Sequence, residues 1–140
     1  MLAWEKPAFD QPFELWREEG VLHLVLAIGA HVQIAHMKEF IRLVAAMDRS
    51  GQAPVMIEYP EHVAVDERAR ALLRRVCGAH GHPVALFAPH HSSRAQAELF
   101  KHVERPAFPF RVFDVRDVAY RWARERRQMS ALLQSADKDR

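Results

Sequence analysis

The 140-residue sequence has a single cysteine, Cys77, so no disulfide can form within the chain. This scarcity is typical of proteins from a reducing compartment such as the cytoplasm. No apolar run approaches the roughly 20 residues of a membrane span, and the longest, near residues 21–30, is interrupted by His23. Pro7, Asp10 and Pro12 stand where a signal peptide needs a continuous apolar segment. We therefore expect a soluble cytoplasmic protein without a membrane span.

Glycine is also scarce, and its placement excludes the common phosphate-binding loops. The five glycines fall neither in GxGxxG nor in GxxxxGK[ST] spacing. Glu58-Tyr59-Pro60 stands where a phosphoacceptor receiver domain needs an aspartate at the end of a strand. Cys77 lies on an apolar helical stripe without an adjacent base, and no Ser-His-Asp set can be assembled. The sequence predicts no catalytic residue, no cofactor and no enzymatic activity.

The charges are nearly balanced, since 20 basic residues face 18 acidic ones for a formal net charge of +2. This balance argues against nucleic-acid binding. The arginines nevertheless cluster within residues 68–75 and 116–127. They are either the solvated faces of two helices or a docking surface for an acidic partner or an anion.

The alternation of apolar and polar residues predicts that the domain opens with a β-hairpin. Residues 13–17 alternate, Gly20 is suited to a turn with positive φ, and residues 21–27 resume a strand. One face of the second strand carries Leu22, Leu24 and Leu26, and the other carries Val21, His23 and Val25.

After the hairpin, helical and strand patterns alternate. Short apolar runs at residues 54–59, 83–88 and 110–113 are typical of buried strands. Between and after them, four amphipathic stripes predict helices, the second beginning near Asp66 and the third capped by Ser93 with Gln96. The predicted inward residues are Ile34, Met37, Ile41, Val44 and Ala45; Ala69, Leu72, Leu73, Val76 and Cys77; Ala95, Leu99 and Val103; and Val118 and Trp122.

These patterns predict an α/β domain in the order β-β-α-β-α-β-α-β-α. Its sheet has five strands, is mainly parallel because of the helical crossovers, is opened by the hairpin and is covered by about four helices. We expect an irregular lead-in at residues 1–12, a single domain at 13–127 and a polar C-terminal tail at 128–140.

Three stretches, ELWREEGVLHLVL, VAVDERAR and FPFRVFDVRDVAYRW, resemble the STAS domain of anti-sigma factor antagonists, and in particular a family of uncharacterised small bacterial STAS-like proteins. The resemblance spans residues 13–126. In the antagonists a phosphorylatable serine follows an aspartate at the start of the second helix. Here Asp66 matches that aspartate, but Glu67 replaces the serine, so the resemblance implies a permanent carboxylate and no phosphorylation switch. Alternatively, Asp66 caps the helix and Glu67 only occupies its first turn.

The histidines and the methionines suggest two further kinds of site. His80 and His82 precede one predicted strand, whereas His90 and His91 follow it, so we expect the two groups far apart and predict no metal site. Six aromatic residues in the second half of the chain form either the core or the wall of an apolar pocket: Phe87, Phe100, Phe108, Phe110, Phe113 and Trp122. Met37, Met47 and Met56 are candidates to line such a pocket.

The function predicted first is a non-enzymatic regulatory or protein-interaction module that binds a protein partner or itself. Its expected surface comprises Asp66, Glu67, Arg68, Arg70, Arg74 and Arg75. The alternative is a carrier or sensor of a small apolar or lipidic ligand. A third hypothesis is an enzyme or metal-binding protein that uses the loop histidines.

Overall fold

A computed structural model describes residues 13–76 and 82–138 of the chain. The predicted lead-in at residues 1–12, Cys77 and His80 lie outside the described residues.

The strands of the described chain form one large and one small sheet. They are β1 (Phe13–Glu18), β2 (Val21–Leu26), β3 (His31–Val32), β4 (Val55–Glu58), β5 (Ala64–Val65), β6 (Val84–Phe87) and β7 (Phe110–Phe113). The large sheet has the order β1-β2-β4-β6-β7. β1 and β2 are antiparallel, and every later neighbour is parallel. The predicted hairpin and mainly parallel five-stranded sheet are confirmed.

Within the described residues, four helices cover the two faces of the large sheet unequally. They are α1 (Ile34–Met47), α2 (Glu67–Val76), α3 (His91–Glu104) and α4 (Arg116–Lys138). Residues from α1, α2 and α3 pack with Leu22, Leu24 and Leu26 in one core. α4 packs against Val21 and its neighbours in a second core on the opposite face. The two predicted faces of β2 are thus confirmed, whereas α4 runs to Lys138 and makes residues 128–138, predicted as a tail, helical.

The hairpin turn between β1 and β2 requires residues in the left-handed region. Glu19 has φ 52° and Gly20 has φ 79°. Two consecutive positive φ values match the twist of an antiparallel pair, and glycine adopts them without a steric penalty. The turn predicted at Gly20 is confirmed.

The small sheet was not predicted from the sequence. β3 and β5 pair in parallel, with His31 opposite Ala64 and Val32 opposite Val65. Two-residue strands are too short to show an alternating pattern. The pair ties the segment before α1 to the segment before α2, and the backbone N–H of Asp66 donates to the Val32 carbonyl at 2.9 Å.

The prediction for α3 was wrong in its cap and its inward face. The helix begins at His91, so Ser93 lies inside the first turn, and its buried hydroxyl donates to the Pro60 carbonyl at 2.9 Å. Ala95, Leu99 and Val103 are exposed, the last two by 60% and 63%. The buried stripe is instead Ser93 and Ala97, with Phe100 packed against the core. Two stripes were compatible with the sequence, and the more hydrophobic one faces solvent.

Three further residues predicted to face inward are exposed. They are Ala45 in α1, Val76 at the end of α2 and Val118 in the first turn of α4. In residues 116–128 of α4, whose burial is described, the fully buried positions are Ala119 and Ala123, because small side chains allow the helix to lie close to the strands.

Candidate ligand-binding cavity

An apolar cavity of about 130 Å³ lies between the large sheet and helices α1, α2 and α3. Its floor is formed by Leu24, Ile57 and Leu86, which lie directly opposite one another on the adjacent strands β2, β4 and β6. Its roof comes from the three helices and includes Met37, Phe40, Leu73, Ala97 and Phe100. The cavity therefore occupies the centre of the larger core.

The small side chain of Ala97 helps to explain why this core is hollow. Ala97 is buried on α3 and lines the cavity with a single methyl group. Protein interiors normally fill such positions, and the few voids larger than a water molecule in a native core invite an explanation. An apolar cavity of about 150 Å³ can stay dry and accept a benzene-sized molecule. The space here is of the same order.

Among the residues that the structure describes, four polar ones also line the cavity: His36, Tyr59, Arg70 and Gln96. Tyr59 is buried, and its hydroxyl donates to Oε1 of Gln96 at 3.2 Å. Burial raises the pKa of Tyr59, and the nearby Arg70 charge opposes that rise. Tyr59 therefore stays neutral at physiological pH and remains a hydrogen-bond donor.

Arg70 and His36 are both half-buried and held by the backbone. Nη1 of Arg70 donates to the Val65 carbonyl at 2.5 Å. The backbone N–H of Gln33 donates to Nδ1 of His36 at 3.0 Å. Because Nδ1 accepts, the neutral His36 ring carries its proton on Nε2, which is then a donor.

These polar residues share one edge of the sheet, where the parallel strands have their carboxyl ends. Tyr59 directly follows β4, His36 and Arg70 lie in the first turns of α1 and α2, and Gln96 lies in the first half of α3. In open α/β sheets, ligands bind preferentially at this edge. Gln96 is exposed as well as lining the cavity, so the cavity reaches the surface there.

The structure places the six residues predicted as an interaction surface on α2 and directly before it, in different surroundings. Asp66 Oδ1 lies 2.5 Å from Nε2 of His31, and its carbonyl accepts the first helical bond from Arg70. Arg70 lines the cavity, and Arg74 pairs with Glu104 on α3 at 3.3 Å. The remaining three, Glu67, Arg68 and Arg75, are exposed.

His82 and His90 lie at opposite ends of β6 and do not converge. His82 lies before β6, where its Nδ1 hydrogen-bonds the Ala53 carbonyl at 2.6 Å, and His90 lies after it, 2.9 Å from the Glu61 carboxylate. Within residues 13–76 and 82–138, no three His, Cys, Asp or Glu side chains are grouped so as to hold a metal ion. In the same ranges no helix combines the length and apolarity needed to cross a bilayer.

Of the three methionines considered for a pocket, Met37 alone lines the cavity. Met56 packs on the opposite face under α4, so its assignment to the pocket was wrong. His36, Tyr59 and Gln96 were missed as candidates. His36 stands three residues after Gln33, a capping-box spacing, and Tyr59 ends a buried strand, but neither signal indicates a cavity by itself.

The order of strands and helices, together with the hairpin at its start, defines a STAS-like α/β domain. The solved structure of an uncharacterised DUF3478-family protein with a SpoIIAA-like fold from Shewanella loihica PV-4 is similar to it, with a TM-score of 0.57. The similarity covers 79% of this chain and 91% of that one at 12% sequence identity, and it confirms the predicted STAS-like fold.

The family model of a domain of unknown function, DUF7793, matches residues 15–127, and the chain belongs to this family. A comparison with curated proteins found no match.

Proposed function

We propose that this domain is a non-catalytic binding module that holds a small apolar ligand in the cavity above Leu24, Ile57 and Leu86. The observation that carries the proposal is the hollow apolar core, which opens at the edge where the strands end. A preformed apolar pocket with a few convergent polar groups is the usual form of a small-molecule site.

The expected affinity for a simple probe follows from the size of the cavity. Burying one CH₂ group contributes about 0.8 kcal/mol, so a six-carbon chain gains about 5 kcal/mol. This corresponds to a Kd on the order of 0.1–1 mM. We expect 1-hexanol to bind saturably in this range, measured by methyl NMR titration.

Filling the cavity should weaken the binding of 1-hexanol. Ala97→Leu adds bulk at the roof and is expected to weaken 1-hexanol binding by at least about tenfold. Ala95→Leu is the matched control, because Ala95 is exposed on the same helix and should leave the affinity unchanged. Thermal unfolding provides a second readout. In a filled core the same substitution would lower the free energy of unfolding by about 1–3 kcal/mol. We expect a smaller loss for Ala97→Leu, because the cavity accepts the added side chain.

Two results would contradict the proposal. One is the absence of saturable 1-hexanol binding by the wild-type protein. The other is an equal affinity of the two variants for 1-hexanol. If Ala97→Leu does not fold, Leu73→Phe fills the same cavity from α2 and is tested against the same control.

A second candidate function, self-association through the outer surface of α2, is favoured by the charges there. Glu67 lies at the start of the helix and Arg75 near its end, and both are exposed. In the described part of the chain, neither side chain has an ion-pair partner within 4.0 Å. Two copies packed with antiparallel α2 helices would place each glutamate near the arginine of the other copy, twice per dimer.

Charge reversal tests the second candidate. We expect Glu67→Arg or Arg75→Glu alone to raise the dimer dissociation constant by roughly fivefold, since each exposed pair contributes under about 1 kcal/mol. The double variant E67R/R75E should restore it. Sedimentation velocity at low ionic strength measures the constant, and a wild type that stays monomeric at every concentration excludes this candidate.

A further inference from the structure

We propose that the ligand of the cavity is a monocarboxylate with a short apolar body, whose carboxylate binds Arg70 and His36 at the carboxyl edge of the sheet. This inference rests on the proposed function, because it specifies the ligand of the same cavity. Its physical basis is a cation, beside a few polar residues, in the wall of a cavity that is otherwise apolar.

Arg70 is the charged group of the cavity wall. Within the two described ranges, no carboxylate lies within 4.0 Å of its guanidinium. One N–H group of Arg70 donates to the Val65 carbonyl at 2.5 Å. A guanidinium has five N–H donors, so the others are available to a ligand. A half-buried arginine with free donors is suited to a carboxylate, which it binds with two parallel hydrogen bonds.

His36 and Gln96 provide further donors on the same cavity wall. The Gln33 N–H bond leaves the His36 proton on Nε2. The Tyr59 hydroxyl occupies Oε1 of Gln96, which leaves the amide NH₂ of Gln96 as the free group. The cavity opening thus offers donors on three sides, and donors favour a ligand group that only accepts.

The acidic residues of this edge do not compete for Arg70. Asp66 pairs with His31 at 2.5 Å, and Glu61 lies 2.9 Å from His90. Glu67 is exposed and is not part of the cavity wall. The first turns of α1 and α2 add partial positive charge at the same edge.

The rest of the wall limits the ligand to one charge and a small body. A second ionised group would have to sit among Leu24, Ile57 and Leu86, where burying an unpaired charge is costly. The volume of about 130 Å³ accepts a short alkyl chain or a single ring. Hexanoate has the right charge and size and is the probe chosen here.

Calorimetric titration at about pH 7.5, where a carboxylic acid is ionised, tests the inference. We expect wild type to bind hexanoate at least about tenfold more tightly than 1-hexanol. Arg70→Met removes the charge and keeps an apolar side chain, and it should cancel that preference by weakening hexanoate binding at least about tenfold more than 1-hexanol binding. Arg68→Met is the matched control, since Arg68 is exposed on the same helix and should change neither affinity.

His36 supplies a second, independent variant. His36→Phe should weaken hexanoate binding several-fold, whereas His36→Gln keeps a donor and the N3 capping partner and should retain most of it. The inference is overturned if hexanoate binds no more tightly than 1-hexanol, or if Arg68→Met weakens hexanoate as much as Arg70→Met. Failure of both probes to bind the wild type overturns the proposed function itself, so the two failures are distinguishable.

Discussion

Replacing Met56 by alanine is expected to lower the free energy of unfolding by about 2–5 kcal/mol, among the largest effects of any single substitution here. Met56 is fully buried on the central strand β4 and packs in the core beneath α4. Removing its side chain leaves a void between the strands and the close-packed Ala119 and Ala123, which have no larger side chain with which to fill it. Urea denaturation monitored by far-UV circular dichroism measures the change.

Met37→Ala is the matched control, because it removes the same atoms from the wall of the ligand cavity. The two variants should separate stability from binding. Met56→Ala should keep the 1-hexanol affinity of the wild type below the unfolding transition, whereas Met37→Ala should change it. A loss of less than about 1 kcal/mol in Met56→Ala, or a change in its 1-hexanol affinity, would show that the second core is not organised as described.

Replacing His23 by phenylalanine is expected to stabilise the domain by about 1–3 kcal/mol at neutral pH. The His23 side chain is buried on β2, stacked on Trp16 with ring centroids 5.2 Å apart and an angle of 9°. Its Nε2 has no hydrogen-bond partner among the described residues, and the Glu18 carboxylate oxygen lies 4.0 Å away. Phenylalanine keeps the stacked ring and removes the unsatisfied polar atom.

The same substitution should remove a pH dependence of stability. Burial lowers the pKa of His23 below its ordinary value of 6.5; Arg116 lowers it further, and Glu18, Glu58 and Glu19 oppose the shift. Between the folded-state pKa and 6.5, the unfolded chain binds more protons than the folded one. The free energy of unfolding is therefore highest above pH 6.5 and falls as the pH decreases through this window.

Thermal unfolding of wild type and His23→Phe from neutral to mildly acidic pH tests both expectations. The control is His102→Phe, which removes an exposed imidazole from α3 by the same change and should leave the pH profile as it is in wild type. A variant less stable than wild type at neutral pH, or one with an unchanged slope below 6.5, would refute the account of His23.

The main architecture was predictable because its signals are local and redundant. The apolar runs that form β4, β6 and β7 are separated by amphipathic helices. A helical crossover makes the two strands that it connects parallel. Gly20 marks the hairpin turn, and the alternation of Leu22 and His23 assigns the two faces of β2. The small sheet of β3 and β5 was not predictable, since two-residue strands depend on long-range pairing alone.

The candidate site was predicted only in general terms. The sequence offered a carrier of an apolar ligand as an alternative function. It did not locate the cavity, because the lining of the cavity depends on which stripe of α3 faces the sheet. Leu99 and Val103 are more hydrophobic than Ser93 and Ala97, so hydrophobicity alone selected the wrong stripe. The buried hydroxyl of Ser93 bonds to Pro60 at 2.9 Å, a contact between segments over 30 residues apart, and the helix orientation follows from such contacts rather than from pattern.

The large sheet separates two layers of the molecule, and the two layers tolerate sequence changes differently. On the α4 face, alanines determine the distance between the helix and the strands. Substitutions there affect the packing of the opposite face only by shifting the strands. Substitutions at the positions of α1, α2 and α3 that line the cavity alter the shape of the cavity. A change of one roof residue can therefore reshape the cavity without disturbing the α4 layer on the other side of the sheet.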